Sequence, residues 1–147
     1  MPEVTVLMPV YNAGRFLRAA IDSILTQTFE NYEFLIINDA STDMSRSVIT
    51  SYRDERIRLV DNERNLGLTG TLNKGLRLAS GEIIARHDAD DIAHPRRLEE
   101  QLQFLRQHSD VVLVGSQSWV IDEDGNYRGI ILSKCCEERS IRWDLLF

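Results

Sequence analysis

Short apolar, β-branched runs alternate along the chain with longer stretches whose apolar positions recur every three or four residues. Val4–Val10 (VTVLMPV) is too short for a helix, and its almost unbroken hydrophobicity suits a strand buried on both faces. After the turn Tyr11-Asn12-Ala13-Gly14, Phe16, Leu17, Ala20, Ile21, Ile24 and Leu25 fall on one helical stripe, predicting a helix over 16–27. Tyr32–Asn38 (YEFLIIN) repeats the strand. Asp39-Ala40-Ser41-Thr42-Asp43 follows as a turn rich in helix caps, with a helix to about residue 53. A third strand, Ile57–Asp61, leads through Asn62 to Gly67 into a helix marked by Leu68, Leu72, Leu76 and Ala79. Gly81 stands where a left-handed helix cap is wanted. A fourth strand over 82–87 stops at Asp88-Ala89-Asp90-Asp91. Pro95 then suits the first position of a helix reaching about residue 108, with Leu98, Leu102 and Leu105 on its inner side. Beyond it, 111–114 and 118–121 read as strands, 122–126 as a hairpin turn, 127–132 as the return strand and 137–147 as helix.

Strand and helix alternating in this way predict an α/β fold, a three-layer α/β/α sandwich with a mostly parallel central sheet and a C-terminal antiparallel hairpin. Ligands in such folds bind beyond the C-terminal ends of the strands. The turns 9–14, 38–43 and 87–91 are therefore expected to converge on one crevice.

With 147 residues, 43% of them hydrophobic, the chain has material for one core, and a single domain over 1–147 is expected. Its formal charge of -6, with no block of Lys or Arg, excludes the electrostatic footprint of a nucleic-acid binder. Cys135 and Cys136 are adjacent, the wrong spacing for a zinc clip or a CxxC pair, and read as free thiols of a reducing cytosol. No apolar run has the length of a membrane span. The expected place is the cytoplasm, the inner face of the membrane included. Trp143-Asp144-Leu145-Leu146-Phe147 ends without a cap or polar tail, and a chain cut short at its C-terminus is expected.

Chemistry concentrates at the acidic turn. Three carboxylates within four residues repel one another unless a cation sits among them, and a hard divalent cation is the usual partner. The first turn has neither GxGxxG nor a Walker A sequence, so no glycine loop cradles a phosphate. A metal would do that work, because Mg²⁺ or Mn²⁺ takes one or two carboxylates and fills its shell with phosphate oxygens and water. On an extended chain Asp88 and Asp90 point to the same side. Asp90 then reaches the metal, Asp88 the metal or a ribose hydroxyl, and Asp91 caps the next helix. Asp39, at the same rim, can accept the ring N–H of a uracil or thymine. The plainer alternative makes all four caps and turn formers. The acidic hairpin tip at 122–126 lacks the twelve-residue calcium-loop pattern and reads as a solvated turn.

An ordered set of motifs goes further. Pro9-Val10-Tyr11-Asn12, Asn38-Asp39-Ala40-Ser41-Thr42-Asp43, Arg64-Asn65-Leu66-Gly67 with Asn73-Lys74-Gly75, Ala79-Ser80-Gly81-Glu82, and Asp88-Ala89-Asp90-Asp91 with Pro95 and Leu98 follow one another. Together they resemble a family 2 glycosyltransferase of the Rossmann-like GT-A fold, over about residues 4–105. The resemblance implies inverting transfer of a sugar from a nucleotide-diphosphate donor, a UDP-sugar, to a glycan or lipid-linked acceptor in cell-envelope polysaccharide synthesis. It implies Asp39 on the base, Pro9, Tyr11, Asn12 and Asn65 around the nucleotide, Asp88 near the ribose, and Asp90 with Asp88 on Mn²⁺ or Mg²⁺. Lys74 and Arg64 are its candidate phosphate partners, the alternative for each being an exposed surface cation; His87 and His94 flank the acidic turn.

One departure stands out. Inversion needs a general base for the acceptor hydroxyl, and the family's later acidic motif does not follow the hairpin. Glu137, Glu138 and Asp144 do not match it, so the base is expected beyond Phe147 and transfer by these residues alone is expected to be weak or absent. The competing readings are a nucleotide-sugar-binding fragment without turnover and a metal-dependent nucleotidyl- or phosphotransferase.

Overall fold

Four parallel strands, β1 (Val4–Val10), β2 (Tyr32–Asn38), β3 (Ile57–Asp61) and β4 (Ile83–Arg86), form a sheet of order β3-β2-β1-β4. The computed structural model describes residues 1–122 and 126–131. It divides the chain into two compact units, Met1–Phe104 and Leu105–Phe147, and the sheet belongs to the first. Successive side chains of β1 and β2 take opposite faces. Val4, Val6, Met8 and Val10 with Phe34 and Ile36 meet α1 (Leu17–Leu25), α2 (Ser45–Thr50) and α4 (Arg97–Gln107) through Ile21, Ile24, Ile49, Leu98 and Leu102. On the other face Leu7, Leu35 and Ile37 meet Leu72 and Leu78 of α3 (Gly67–Leu78). These are the three expected layers, and each fully buried Leu, Ile or Phe contributes about 1.5–3 kcal/mol.

The order of the strands fixes where a ligand can enter. From β1 the chain steps outward to β2 and β3, with α1 and α2 on one face. It then returns across the sheet to β4 on the far side of β1, and reversing direction moves the connecting α3 to the opposite face. The switch point therefore lies between the C-terminal ends of β1 and β4. The β1–β4 ladder ends at Leu7 opposite Arg86, so Pro9 lies past it and its missing N–H removes no bond there.

Several expectations are corrected. Gly81 is not a left-handed cap: the residue that closes α3, Ala79, is extended, and the left-handed glycine is Gly67, φ +71°, at the start of that helix. Gly81 instead permits a close approach, since a Cβ on it would lie 2.5 Å from the carbonyl carbon of Val4 and 2.6 Å from the amide nitrogen of Thr5. Helix α4 begins at Arg97, two residues after Pro95, whose carbonyl accepts the Thr28 N–H (2.9 Å). Asp91 is six residues ahead of that helix and cannot cap it.

In the second unit, 111–114 is not a strand, and Val112 and Leu113 are exposed. The antiparallel hairpin does form, from β5 (Ser118–Ile121) and β6 (Tyr127–Ile131). Its Asp122 carboxylate is taken by Asn126 and Arg128, and residues 123–125, the tip expected as a solvated turn, lie outside the described residues. Cys135, Cys136 and the helix expected over 137–147 lie outside the described residues. No helix among the described residues is long and apolar enough to cross a membrane.

Candidate functional site

The turns after β1 and β2 are tied together before any ligand is considered. Asn12 is left-handed, φ 51°, and its backbone N–H donates to Ser41 Oγ (3.1 Å). Its Oδ1 accepts the Thr42 N–H (2.8 Å), Ala13 N–H donates to Ser45 Oγ (2.9 Å), and Gly14 N–H donates to Asp43 Oδ2 (2.9 Å). Asp43 Oδ1 also accepts the Ser45 N–H (2.9 Å) at the start of α2, the capping role expected of this turn. A left-handed Asn is tolerated because its short amide bonds locally, and Asn12 spends its carbonyl on the neighbouring turn. Tyr11 is left about half exposed.

Asp39 stands at the C-terminal end of β2 with 3% of its surface accessible. Its Oδ1 accepts Asn62 Nδ2 (2.7 Å) and the Leu66 N–H (2.8 Å). Burial alone would raise its pKa. The donors Leu66, Asn62, Thr71 and Gly67 outweigh that and hold it below the usual aspartate value, so it is an anion at neutral pH. Asp39 lines a cavity of about 400 Å³ with Pro9, Val10, Tyr11, Asn65, Gly67, Leu68 and Thr71. Lys74 is not in that lining: its Nζ donates to Asn62 Oδ1 (2.6 Å), which places it behind Asp39. Arg64 is exposed and lines neither cavity described here.

A second cavity, of about 340 Å³, adjoins the first through Pro9, Tyr11 and Leu68 and sits at the switch point. Asn12, Ala13, Phe16, Arg86, Asp88, Ala89 and Asp90 complete it. The chain is not extended here. It turns at Ala89 and Asp90, with Asp91 N–H donating to the Asp88 carbonyl (3.2 Å). Asp88 and Asp90 therefore reach one cavity by a turn, not by strand alternation. Asp88 is gripped by Arg86 through two parallel bonds, Nε to Oδ1 (3.0 Å) and Nη2 to Oδ2 (2.9 Å). Asp90 is exposed, and no ion pair or hydrogen bond of its side chain occurs among the described residues.

Beneath the turn lies a cation the sequence did not single out. Arg97 donates through Nη2 to the Arg86 carbonyl (2.7 Å), and its Nη1 lies 3.2 Å from Nδ1 of His87. A guanidinium can only donate, so Nδ1 accepts and the ring proton sits on Nε2, which is buried without a hydrogen-bond partner. Burial and the Arg97 charge push the His87 pKa down to about 4, and His87 is a neutral core residue. Burial, with the charges of Asp88 and Asp90, raises Asp91. His94 is exposed and lines neither cavity.

The fit of a metal follows from these donors. Among the described residues no three His, Cys, Asp or Glu side chains gather as a metal site. What the second cavity offers is two hard oxygen donors, one of them engaged. That suits Mg²⁺ or Mn²⁺, which need few protein carboxylates when phosphate oxygens are present, and does not suit an all-protein cage. Arg86, missed from the sequence, had one signal, a basic residue two positions before Asp88.

The family model for Glycosyl transferase family 2 matches residues 5–145. The chain belongs to that family. A Bacillus subtilis (strain 168) protein named as a glycosyltransferase, EpsE, is 42% identical to this chain over 127 residues, 84% of the chain and 46% of the relative. The Escherichia coli UDP-Glc:alpha-D-GlcNAc-diphosphoundecaprenol beta-1,3-glucosyltransferase WfgD is 37% identical over 77% of the chain and 45% of the relative. The chain thus spans about half the length of the curated relatives it matches. Among solved structures, S. aureus TarS 1-349 in complex with UDP-GlcNAc superposes with a TM-score of 0.69 at 26% identity, covering 74% of this chain and 32% of that one. The mannosyltransferase PcManGT of Pyrobaculum calidifontis, in complex with GDP-Man and Mn²⁺, gives 0.66 at 30% identity, over 71% and 32%. The fold expected from the motifs, GT-A, is the fold observed.

Proposed function

We propose that residues 1–147 form the donor-binding part of an inverting glycosyltransferase that takes its sugar from a uridine-diphosphate donor. The observation that carries this reading is the pair of adjoining cavities at the C-terminal ends of the strands, one holding a buried anionic Asp39 and the other, at the switch point, Asp88, Asp90 and Arg86. A nucleoside diphosphate has the matching sequence of groups: a base with a ring N–H for Asp39, a ribose for the shared rim at Pro9 and Tyr11, and a diphosphate for the acidic turn. Asn65 and Asn12 border the nucleotide, and Lys74 acts indirectly, by orienting Asn62 against Asp39. The cavity carboxylates Asp90, and Asp88 once Arg86 releases it, would hold Mn²⁺ or Mg²⁺, whose positive charge favours departure of the diphosphate. TarS with UDP-GlcNAc and PcManGT with GDP-Man and Mn²⁺ support the donor class and the metal. The name of WfgD supports a lipid-linked acceptor, hence work at the inner face of the membrane.

Inversion requires the acceptor hydroxyl to attack the anomeric carbon opposite the departing diphosphate while a base takes its proton. Each cavity carboxylate has a donor-side role: Asp39 holds the base, and Asp88 and Asp90 serve the diphosphate. The general base is therefore assigned outside this set, and the chain by itself acts as a binding module. A phosphotransferase using Asp88 as nucleophile is disfavoured, since both oxygens of that carboxylate are held by Arg86.

The base assignment is tested by calorimetry with UDP and CDP in Mn²⁺, because cytosine lacks the ring N–H that uracil offers. UDP should bind about tenfold tighter, the worth of one hydrogen bond to a charged acceptor, and Asp39→Asn should narrow that ratio. Equal affinities for the two in the wild type would refute Asp39 as the base reader.

A further inference from the structure

We infer that Arg86 is a positioning residue that makes the metal site conditional on the nucleotide, holding Asp88 until a diphosphate arrives and then exchanging Asp88 for it. The inference rests on the donor-site reading above. Both oxygens of Asp88 are engaged by the Arg86 fork at 3.0 and 2.9 Å, while Asp90, on the same cavity, has no such partner among the described residues. Without Arg86, two carboxylates would face one cavity and draw in a cation unaided; with it, a single carboxylate is left. The backbone of Arg86 is fixed, paired opposite Leu7 in the sheet and held at its carbonyl by Arg97. Only its side chain is free to change partner. That side chain is 52% exposed and the Asp88 side chain 39%, so the pair is solvent-screened and easily exchanged.

A diphosphate carries what each half of the pair needs. Its anionic oxygens match the planar guanidinium fork at least as well as a carboxylate does. Its remaining oxygens complete the shell of a metal that Asp88 and Asp90 alone leave unfilled. Metal and nucleotide are thereby coupled through one arginine, and each should bind poorly without the other.

The test is Mn²⁺ titrated into the full chain, with and without UDP, following free ion by its electron paramagnetic resonance signal and UDP by calorimetry. Arg86→Ala should tighten Mn²⁺ alone by about threefold or more, because Asp88 is released. The same variant should weaken UDP in the presence of Mn²⁺ by about tenfold, because the fork is lost. In Arg86→Ala combined with Asp88→Asn the gain in Mn²⁺ affinity should vanish. Arg86→Lys, which keeps the charge without the fork, should lie between wild type and Arg86→Ala in both measurements. If Arg86→Ala leaves either affinity unchanged while the wild type still takes UDP with Mn²⁺, the inference is overturned and the donor reading stands. A wild type that takes up no UDP with Mn²⁺ overturns the donor reading, and the inference with it.

Discussion

His87 illustrates how a residue beside the acidic turn can serve the core instead of the chemistry. Its native pKa of about 4 lies below the ordinary 6.5, so the unfolded chain takes up a proton first as the pH falls. The stability it protects is full above the unfolded value and is lost as the pH falls from about 6.5 to about 4, a loss on the order of 3 kcal/mol. Asp91, whose pKa is raised, gains a proton in the native state first and works in the opposite sense. Denaturant unfolding at neutral pH and at about pH 4.5 should therefore show a smaller pH loss in His87→Asn than in the wild type. Identical losses would show that His87 does not carry the effect. Asp39→Ala tests a second buried group, for it strands the Leu66 N–H without its acceptor and leaves Asn62 Nδ2 with Thr71 Oγ1 alone (3.2 Å). The expected cost is about 1–3 kcal/mol, read as a lower unfolding midpoint. The burial of Asp39 could not be foreseen from its turn, where a capping role was equally consistent; only the arrival of Asn62 and Leu66 from the next strand-helix unit decides it.

At the scale of elements, β1 and β2 are where their apolar runs placed them, because a strand buried on both faces leaves little choice of boundary, and the half-buried edge strand β3 keeps its expected bounds as well. Helix ends were less legible. Pro95 is compatible with a first helical turn, yet the segment from Asp91 to Arg96 is used to dock on α1 and the residues just after it: Ala93 N–H donates to Ser23 Oγ (3.0 Å), and Gln27 Nε2 donates to the His94 carbonyl (2.8 Å). Those are tertiary contacts, invisible to local pattern. Gly81 is the same lesson in reverse, a glycine in the right place for the wrong reason. Gly81→Ala forces a Cβ onto the backbone of Val4 and Thr5, and should cost about 1–3 kcal/mol or more in urea unfolding. A neutral result would mean that the connection into β4 can move aside.

Over the whole molecule, the strand order makes the site. Because β4 returns beside β1, three turns that are distant in sequence meet, and the candidate residues Pro9, Tyr11, Asn12, Asp39, Asn65, Asp88 and Asp90 line two adjoining cavities. That convergence was legible, since alternation of strand and helix implies it. The roles of Lys74 and Arg86 were not, since each depends on which neighbour the folded chain supplies. If Asp39, Asp88 and Asp90 serve the donor as proposed, no carboxylate lining the two cavities among the described residues is left to activate an acceptor, and the 147-residue chain is expected to release UDP from a UDP-sugar no faster with a glycan acceptor than without one. Acceptor-stimulated release would place the general base inside these residues. The most direct test of the account is calorimetry of UDP with and without Mn²⁺, on the wild type and on Asp90→Ala. Binding that requires the metal and falls at least about tenfold in Asp90→Ala is the predicted result. Binding unaffected by the metal or by loss of Asp90, or no binding to the wild type, would contradict it.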